Sequence, residues 1–135
     1  MAKITKINHI AVAVADIDGA LSFWRDGLGL DVDHVEDVPS QKVVVAFLPV
    51  GASEVELVKP TAENTGVAKF LAERGSGMHH LCFEVDNIEE MLAQLKGKGI
   101  RLINETPQVL PGRKMAFVHP KSTGGVLVEL YEIIR

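Results

Sequence analysis

The stretch Gly77-Met78-His79-His80-Leu81-Cys82-Phe83-Glu84-Val85-Asp86 reads almost as a second copy of Ile7-Asn8-His9-Ile10-Ala11-Val12-Ala13-Val14-Ala15-Asp16. A shift of 71 positions lays His9 on His80, Val14 on Val85 and Ile17 on Ile88. The match continues downstream: Ala20-Leu21 meets Met91-Leu92, and Gly29-Leu30 meets Gly99-Ile100 after a slip of one residue. Ala46-Phe47-Leu48 then meets Ala116-Phe117-Val118, and with three extra residues Val55-Glu56-Leu57 meets Val128-Glu129-Leu130. Each half therefore opens on a histidine strand and closes on a glutamate strand.

The periodicities within the halves agree with this reading. Residues 7–14 alternate, with Ile10, Val12 and Val14 on one side and His9, Ala11 and Ala13 on the other, the pattern of a strand with one apolar face. Asp16 is placed to cap a short amphipathic helix that carries Ala20, Leu21, Phe23 and Trp24 and stops at Gly27 and Gly29. Leu30–Val35 and Val43–Leu48 read as two strands around a turn at Asp37, Pro39 and Ser40, and residues 54–58 as a third. A connecting helix is predicted over Gly66–Arg74. The second half repeats the plan, with a strand from Met78, a helix over about Ile88–Lys98, and strands near Arg101–Ile103, Lys114–Val118 and Val126–Tyr131. Val126, Val128 and Leu130 are expected to face the core. The expected fold class is α+β, two β-α-β-β-β units forming curved mixed sheets, in a single domain of residues 1–135 with repeat units at about 5–60 and 76–134.

Composition narrows the function. A chain of 135 residues, 47% hydrophobic, can bury an ordinary core. A net charge of -4 with interspersed signs lacks the basic stripe of a nucleic-acid binder. No apolar run approaches the roughly 18 residues of a membrane helix, and no signal-peptide pattern opens the chain. Cys82 is the single cysteine, which excludes an internal disulfide and points to the cytoplasm.

His9, Glu56, His80 and Glu129 all fall on the strand faces opposite the rows expected against the helices. Two imidazoles and two carboxylates form a nitrogen and oxygen donor set suited to a divalent first-row metal such as Co, Mn, Ni, Zn or Fe. A lone strand histidine or glutamate is ordinarily a hydrogen-bonded or solvated residue; four of them at matched positions of a repeat point to a metal. A metal with open positions can chelate adjacent substrate oxygens and stabilise the enolate left when a neighbouring C–H proton departs. Glu56 and Glu129 are the candidate bases. His34 and His79 gain nothing from the repeat, Cys82 reads as packing, and His119 is either a turn residue or a substrate contact. Lys121-Ser122-Thr123 offers a cation, hydroxyls and backbone N–H groups to a substrate carboxylate, or is simply a turn; Gln41 is a weaker candidate for that task.

Two β-α-β-β-β units closing on His, Glu, His and Glu resemble the vicinal oxygen chelate superfamily. Within it, Asn8-His9-Ile10-Ala11-Val12-Ala13-Val14, Val67-Ala68-Lys69-Phe70-Leu71, Gly77-Met78-His79-His80, His119-Pro120-Lys121-Ser122 and Gly124-Gly125-Val126-Leu127-Val128-Glu129-Leu130 are similar to the methylmalonyl-CoA epimerases. The resemblance implies interconversion of (2R)- and (2S)-methylmalonyl-CoA by removal and return of the C2 proton, a metal at His9, Glu56, His80 and Glu129 with cobalt expected first, an acyl-CoA thioester substrate, no nucleic-acid or membrane partner, and a homodimer. Some members carry Gln at the position of Glu56. Others carry a further Glu on the third strand, where this chain has Val43-Val44-Val45-Ala46-Phe47, leaving Glu56 or a metal-bound water as the second acid/base group. A glyoxalase I-type lyase and a non-catalytic ligand-binding protein of the same fold are the alternatives.

Overall fold

The structure, a computed structural model, describes residues 1–135, which divide into two compact units: His9–His79, and Met1–Asn8 together with His80–Arg135. The first unit contains the second half of β1 (Ile4–Ala13), from His9 on, then α1 (Ile17–Leu21), β2 (His34–Val38), β3 (Val43–Val50), β4 (Ser53–Pro60) and α2 (Gly66–Arg74). The second contains the first half of β1, β5 (Gly77–Val85) from His80 on, α3 (Ile88–Gly97), β6 (Gln108–Leu110), β7 (Arg113–Val118) and β8 (Leu127–Ile133). Within the first unit the strand order is β2-β3-β4-β1, and within the second it is β5-β8-β7-β6. In each unit the histidine strand lies parallel to the glutamate strand, β1 to β4 and β5 to β8, while the remaining ladders are antiparallel. A parallel pair cannot be joined by a tight hairpin, so each unit needs the long crossover through a helix and two strands that the sequence spacing provides. The α+β class and the mixed sheets are as expected.

Helix limits follow local chemistry. The Asp16 carboxylate accepts from the Gly19 N–H at 2.8 Å, the Thr65 hydroxyl from Ala68 at 3.1 Å, and the Asn87 side-chain oxygen from Glu90 at 3.0 Å, each satisfying an otherwise unpaired first-turn donor. Gly75 adopts φ 74° just past α2, a conformation that carries no penalty without a Cβ. Beyond Leu21 the helix widens into a π turn over Ser22–Gly27, with Leu28 N–H donating to the Phe23 carbonyl at 2.8 Å.

Each sheet has a helix-facing side and an opposite side. In the first unit Val12, Val14, Ala46, Leu48 and Leu57 pack with Ile17 and Leu21 of α1. In the second, Val85, Ala116, Val118 and Leu130 pack with Ile88, Met91 and Leu92 of α3. Met1–Asn8 belongs to the second unit because Ala2 joins that core and Lys3 N–H donates to the Asp86 carboxylate at 2.9 Å.

Three boundaries differ from expectation. Leu30–Val32 is not a strand: Leu30 N–H turns back to the Trp24 carbonyl, and both side chains pack beside α1, so β2 begins only at His34. Residues 101–103 supply one isolated bridge, Leu102 to Val118. The ladder there is interrupted because the Asn104 side chain takes the Phe117 N–H at 2.8 Å in place of a backbone carbonyl. The strand paired with β7 is instead Gln108–Leu110, turned by Pro111-Gly112 with Gly112 at φ 77°. Val126 lies ahead of β8 and is exposed, while Val128 and Leu130 pack against the core as expected.

Candidate metal centre

The side of each sheet away from its helix carries the repeated polar residues. In the first unit His9 Nδ1 lies 3.2 Å from Glu56 Oε2, with side chains 1% and 14% exposed. In the second, His80 Nε2 lies 3.1 Å from Glu129 Oε1, with side chains 13% and 5% exposed. The ladders explain the pairing. Glu56 stands opposite Ala11, two residues beyond His9, and Glu129 stands opposite Cys82, two residues beyond His80. Residues two apart on a strand share a face, so each glutamate sits diagonal to its histidine across one small side chain. A larger residue at Ala11 or Cys82 would fill the gap through which the carboxylate reaches the imidazole. Cys82 is fully buried and has this spacer position. Because the offset is the same in both units, the duplication preserves the pairing geometry as well as the residue types.

Both glutamates also face a phenylalanine across an antiparallel ladder, Phe47 opposite Glu56 and Phe117 opposite Glu129. The Phe117 ring meets His80 edge-on at 5.9 Å. Around Glu56 the same face carries Ala11, Val43, Val45 and Val58, with Phe47 and Val67 of α2 packed against them. These aromatic and aliphatic walls limit the exposure of the carboxylates, and a lower local dielectric strengthens electrostatic interactions made there. The sequence contained the signal for both phenylalanines, since Phe47 and Phe117 are matched by the repeat, but their role opposite the carboxylates follows only from the register.

The donor set fits a divalent metal. Imidazole nitrogen and carboxylate oxygen each bind such ions at about 2.0–2.2 Å, so two ligands adjacent on one ion stand roughly 3 Å apart. The His9–Glu56 and His80–Glu129 separations of 3.2 and 3.1 Å already match that spacing. His79 precedes His80 in β5, on the alternate side of that strand, and its ring lies 5.2 Å edge-on from Phe70 of α2. His34 stacks on Phe47 at 4.4 Å and lies 2.6 Å from the Asp33 carboxylate at the exposed edge of the first unit.

The remaining sequence candidates occupy turns. Gln41 is exposed in the turn between β2 and β3, six residues from Phe47 and therefore about 20 Å along the strand direction. Lys121 and Ser122 lie in a short 3-10 turn that follows β7, three and four residues past Val118, which pairs with Val128 next to Glu129. Lys121 is exposed, and the Ser122 hydroxyl accepts from Arg101 N–H at 2.9 Å. His119 caps this turn, its Nδ1 accepting from Lys121 N–H at 3.1 Å. Burial holds the imidazole below its ordinary range, and the Arg101 and Lys121 cations push it the same way. A cavity of about 420 Å³ between β1 and α1, lined by Val12, Val14, Gly19, Phe23 and Trp24, opens on the other side of β1 from His9.

A fold of this kind, with imidazole and carboxylate pairs on the open face of duplicated β-α-β-β-β units, defines a class, and residues 8–117 match the family model described as Glyoxalase/Bleomycin resistance protein/Dioxygenase superfamily. The mitochondrial methylmalonyl-CoA epimerase of Mus musculus is 42% identical over 130 residues, 95% of this chain and 73% of that protein. The crystal structure of methylmalonyl-CoA epimerase from Mycobacterium tuberculosis superposes with a TM-score of 0.88 at 36% identity, covering 98% of this chain and 90% of that one. A methylmalonyl-CoA epimerase in complex with methylmalonyl-CoA and NH4+ superposes with a TM-score of 0.87 at 35% identity, covering 97% and 96%. The chain belongs to this superfamily and, within it, to the family of the methylmalonyl-CoA epimerases. No helix is long and apolar enough to cross a membrane.

Proposed function

We propose that the protein is a metal-dependent epimerase that interconverts (2R)- and (2S)-methylmalonyl-CoA, with residues 1–135 acting as one vicinal oxygen chelate domain. The observation that carries this reading is the matched pair of buried His–Glu contacts, His9–Glu56 and His80–Glu129, at identical ladder offsets in a chain of the epimerase family. His9, Glu56, His80 and Glu129 would hold one divalent ion, cobalt first among Co, Mn, Ni, Zn and Fe. When bound, the metal supplies Lewis-acid stabilisation of the negative charge that develops on the thioester oxygen.

The chain's own residues supply the proton chemistry. Glu129 removes and returns the C2 proton at one face of the acyl group, and Glu56 serves the other, since epimerisation requires delivery to the face opposite removal. Val43, Val44, Val45, Ala46 and Phe47 place no ionisable group on β3, which leaves Glu56 as the carboxylate of the first unit able to serve as this second group. Phe47 and Phe117 flank the two carboxylates across the ladders, so that solvent protons reach C2 through Glu129 and Glu56 and not by direct protonation. Lys121, Ser122 and Gln41 reach the substrate from the turns; only a ligand with an arm as long as that of coenzyme A extends so far. The cytoplasm and a homodimer complete the reading.

The test is proton–deuterium exchange at C2 of methylmalonyl-CoA in D2O, followed by NMR with and without a chelator. Exchange that is abolished by the chelator and restored by Co²⁺ is expected. No exchange in the metal-loaded protein overturns the epimerase reading.

A further inference from the structure

In the second unit the face that bears Glu129 continues along β7 and β8. Arg113 and Met115 share the face of Phe117, and Tyr131 and Ile133 share that of Glu129; Met115 pairs with Tyr131, and Arg113 with Ile133. Arg113 leans back along the ladder, so that its guanidinium carbon lies 5.2 Å from the centre of the Tyr131 ring. Its Nε is buried and has no hydrogen-bond partner. A desolvated guanidinium N–H left unpaired is costly, and such a group in a native structure calls for an explanation, a bound partner among them.

The neighbouring cation sharpens the contrast. Lys114 points to the helix side, where its ammonium lies 2.8 Å from Glu89 and 4.0 Å from Glu132, and these acids raise its pKa. Arg113 has no carboxylate within ion-pair distance. Glu84, which stands opposite Tyr131 on β5, is engaged by Lys6 at 3.6 Å, by the Asn8 amide at 3.3 Å and by Arg135 at 3.9 Å. Arg113 is also fixed in place. It is the first residue after the Pro111-Gly112 turn, and Ile134 N–H ties that turn down through the Gly112 carbonyl at 3.0 Å.

We propose that Arg113 is a specificity-determining residue that grips the free carboxylate of the acyl group, selecting dicarboxylic acyl thioesters over simple ones. A planar fork stacked on an aromatic ring, with a buried donor unfilled, suits bidentate recognition of a carboxylate. Position favours that carboxylate over the phosphates of coenzyme A. Tyr131, under the guanidinium, is two residues and so about 7 Å along the strand from Glu129, within the span of an acyl group whose C2 meets Glu129. The phosphates lie the whole pantetheine arm away from C2.

This assignment rests on the acyl-CoA reading above, and its test separates the two. Binding of methylmalonyl-CoA and of isobutyryl-CoA, in which a methyl replaces the carboxylate, is measured by calorimetry on the metal-loaded protein and on Arg113→Met and Arg113→Gln. Gln keeps a polar stem, so at least one variant that melts like the unsubstituted protein is expected. Each folded variant should lose roughly tenfold to a hundredfold in affinity for methylmalonyl-CoA and less than about threefold for isobutyryl-CoA. Equal losses for both ligands would mean that Arg113 reads the coenzyme, and no loss would make it a packing residue; either overturns the assignment. Carboxylate-selective binding without C2 exchange would remove the epimerase reading and leave Arg113 standing, whereas exchange without selectivity would do the reverse.

Discussion

Replacing Glu129 by Gln separates its two assigned tasks. The side chain is 5% exposed and its Oε1 lies 3.1 Å from His80 Nε2, between Cys82 on β5 and Phe117 on β7. Gln has nearly the same volume, so the ladder neighbours need not move, and its amide oxygen can still face the imidazole or a metal. What it loses is the capacity to accept a proton at neutral pH. A positioned general base contributes about 10²–10⁴ in rate, corresponding to about 2.7–5.4 kcal/mol of barrier. Metal content, read by elemental analysis, is therefore expected to stay above about half of the unsubstituted value, since one oxygen donor is exchanged for another. C2 deuterium exchange is expected to fall by at least about 10². A variant that keeps its metal and exchanges within about threefold of the unsubstituted rate would refute the base assignment and leave Glu129 as a ligand alone.

His80→Ala is expected to lower metal content from about one equivalent per chain to below about a tenth, whereas His79→Ala, which loses the edge contact with Phe70, should leave it unchanged; equal losses would show that the wrong histidine has been assigned. Lys121→Ala should raise KM for methylmalonyl-CoA with kcat and metal content preserved, because the ammonium is exposed and distant from the proton transfer; unchanged kinetics would reduce its loop to a turn. His119 has a lowered folded-state pKa, so its contribution to stability is complete above the unfolded value of about 6.5 and is lost as pH falls through the folded one. Melting temperatures measured from pH 8 to 5 should accordingly fall less steeply in His119→Asn, which can still cap the turn; parallel slopes would exclude His119 from this effect.

The order of elements and the open-face residues were legible in the sequence because they rest on local signals. Alternation sorted His9, Glu56, His80 and Glu129 from the core rows, and caps set the limits of α2 at Gly66 and Arg74. The repeat supplied what a single strand cannot, a reason to read four scattered polar residues together. The diagonal offset across Ala11 and Cys82, the phenylalanines opposite the carboxylates, and the unpaired Nε of Arg113 came only from the tertiary structure. Each depends on which residues meet across a ladder, and register is fixed by pairing between segments far apart in the chain. The same cause displaced the strand expected at Arg101–Ile103 to Gln108–Leu110: β-branched residues favour both stretches, but the Asn104 side chain interrupts one ladder and the Pro111-Gly112 turn closes the other.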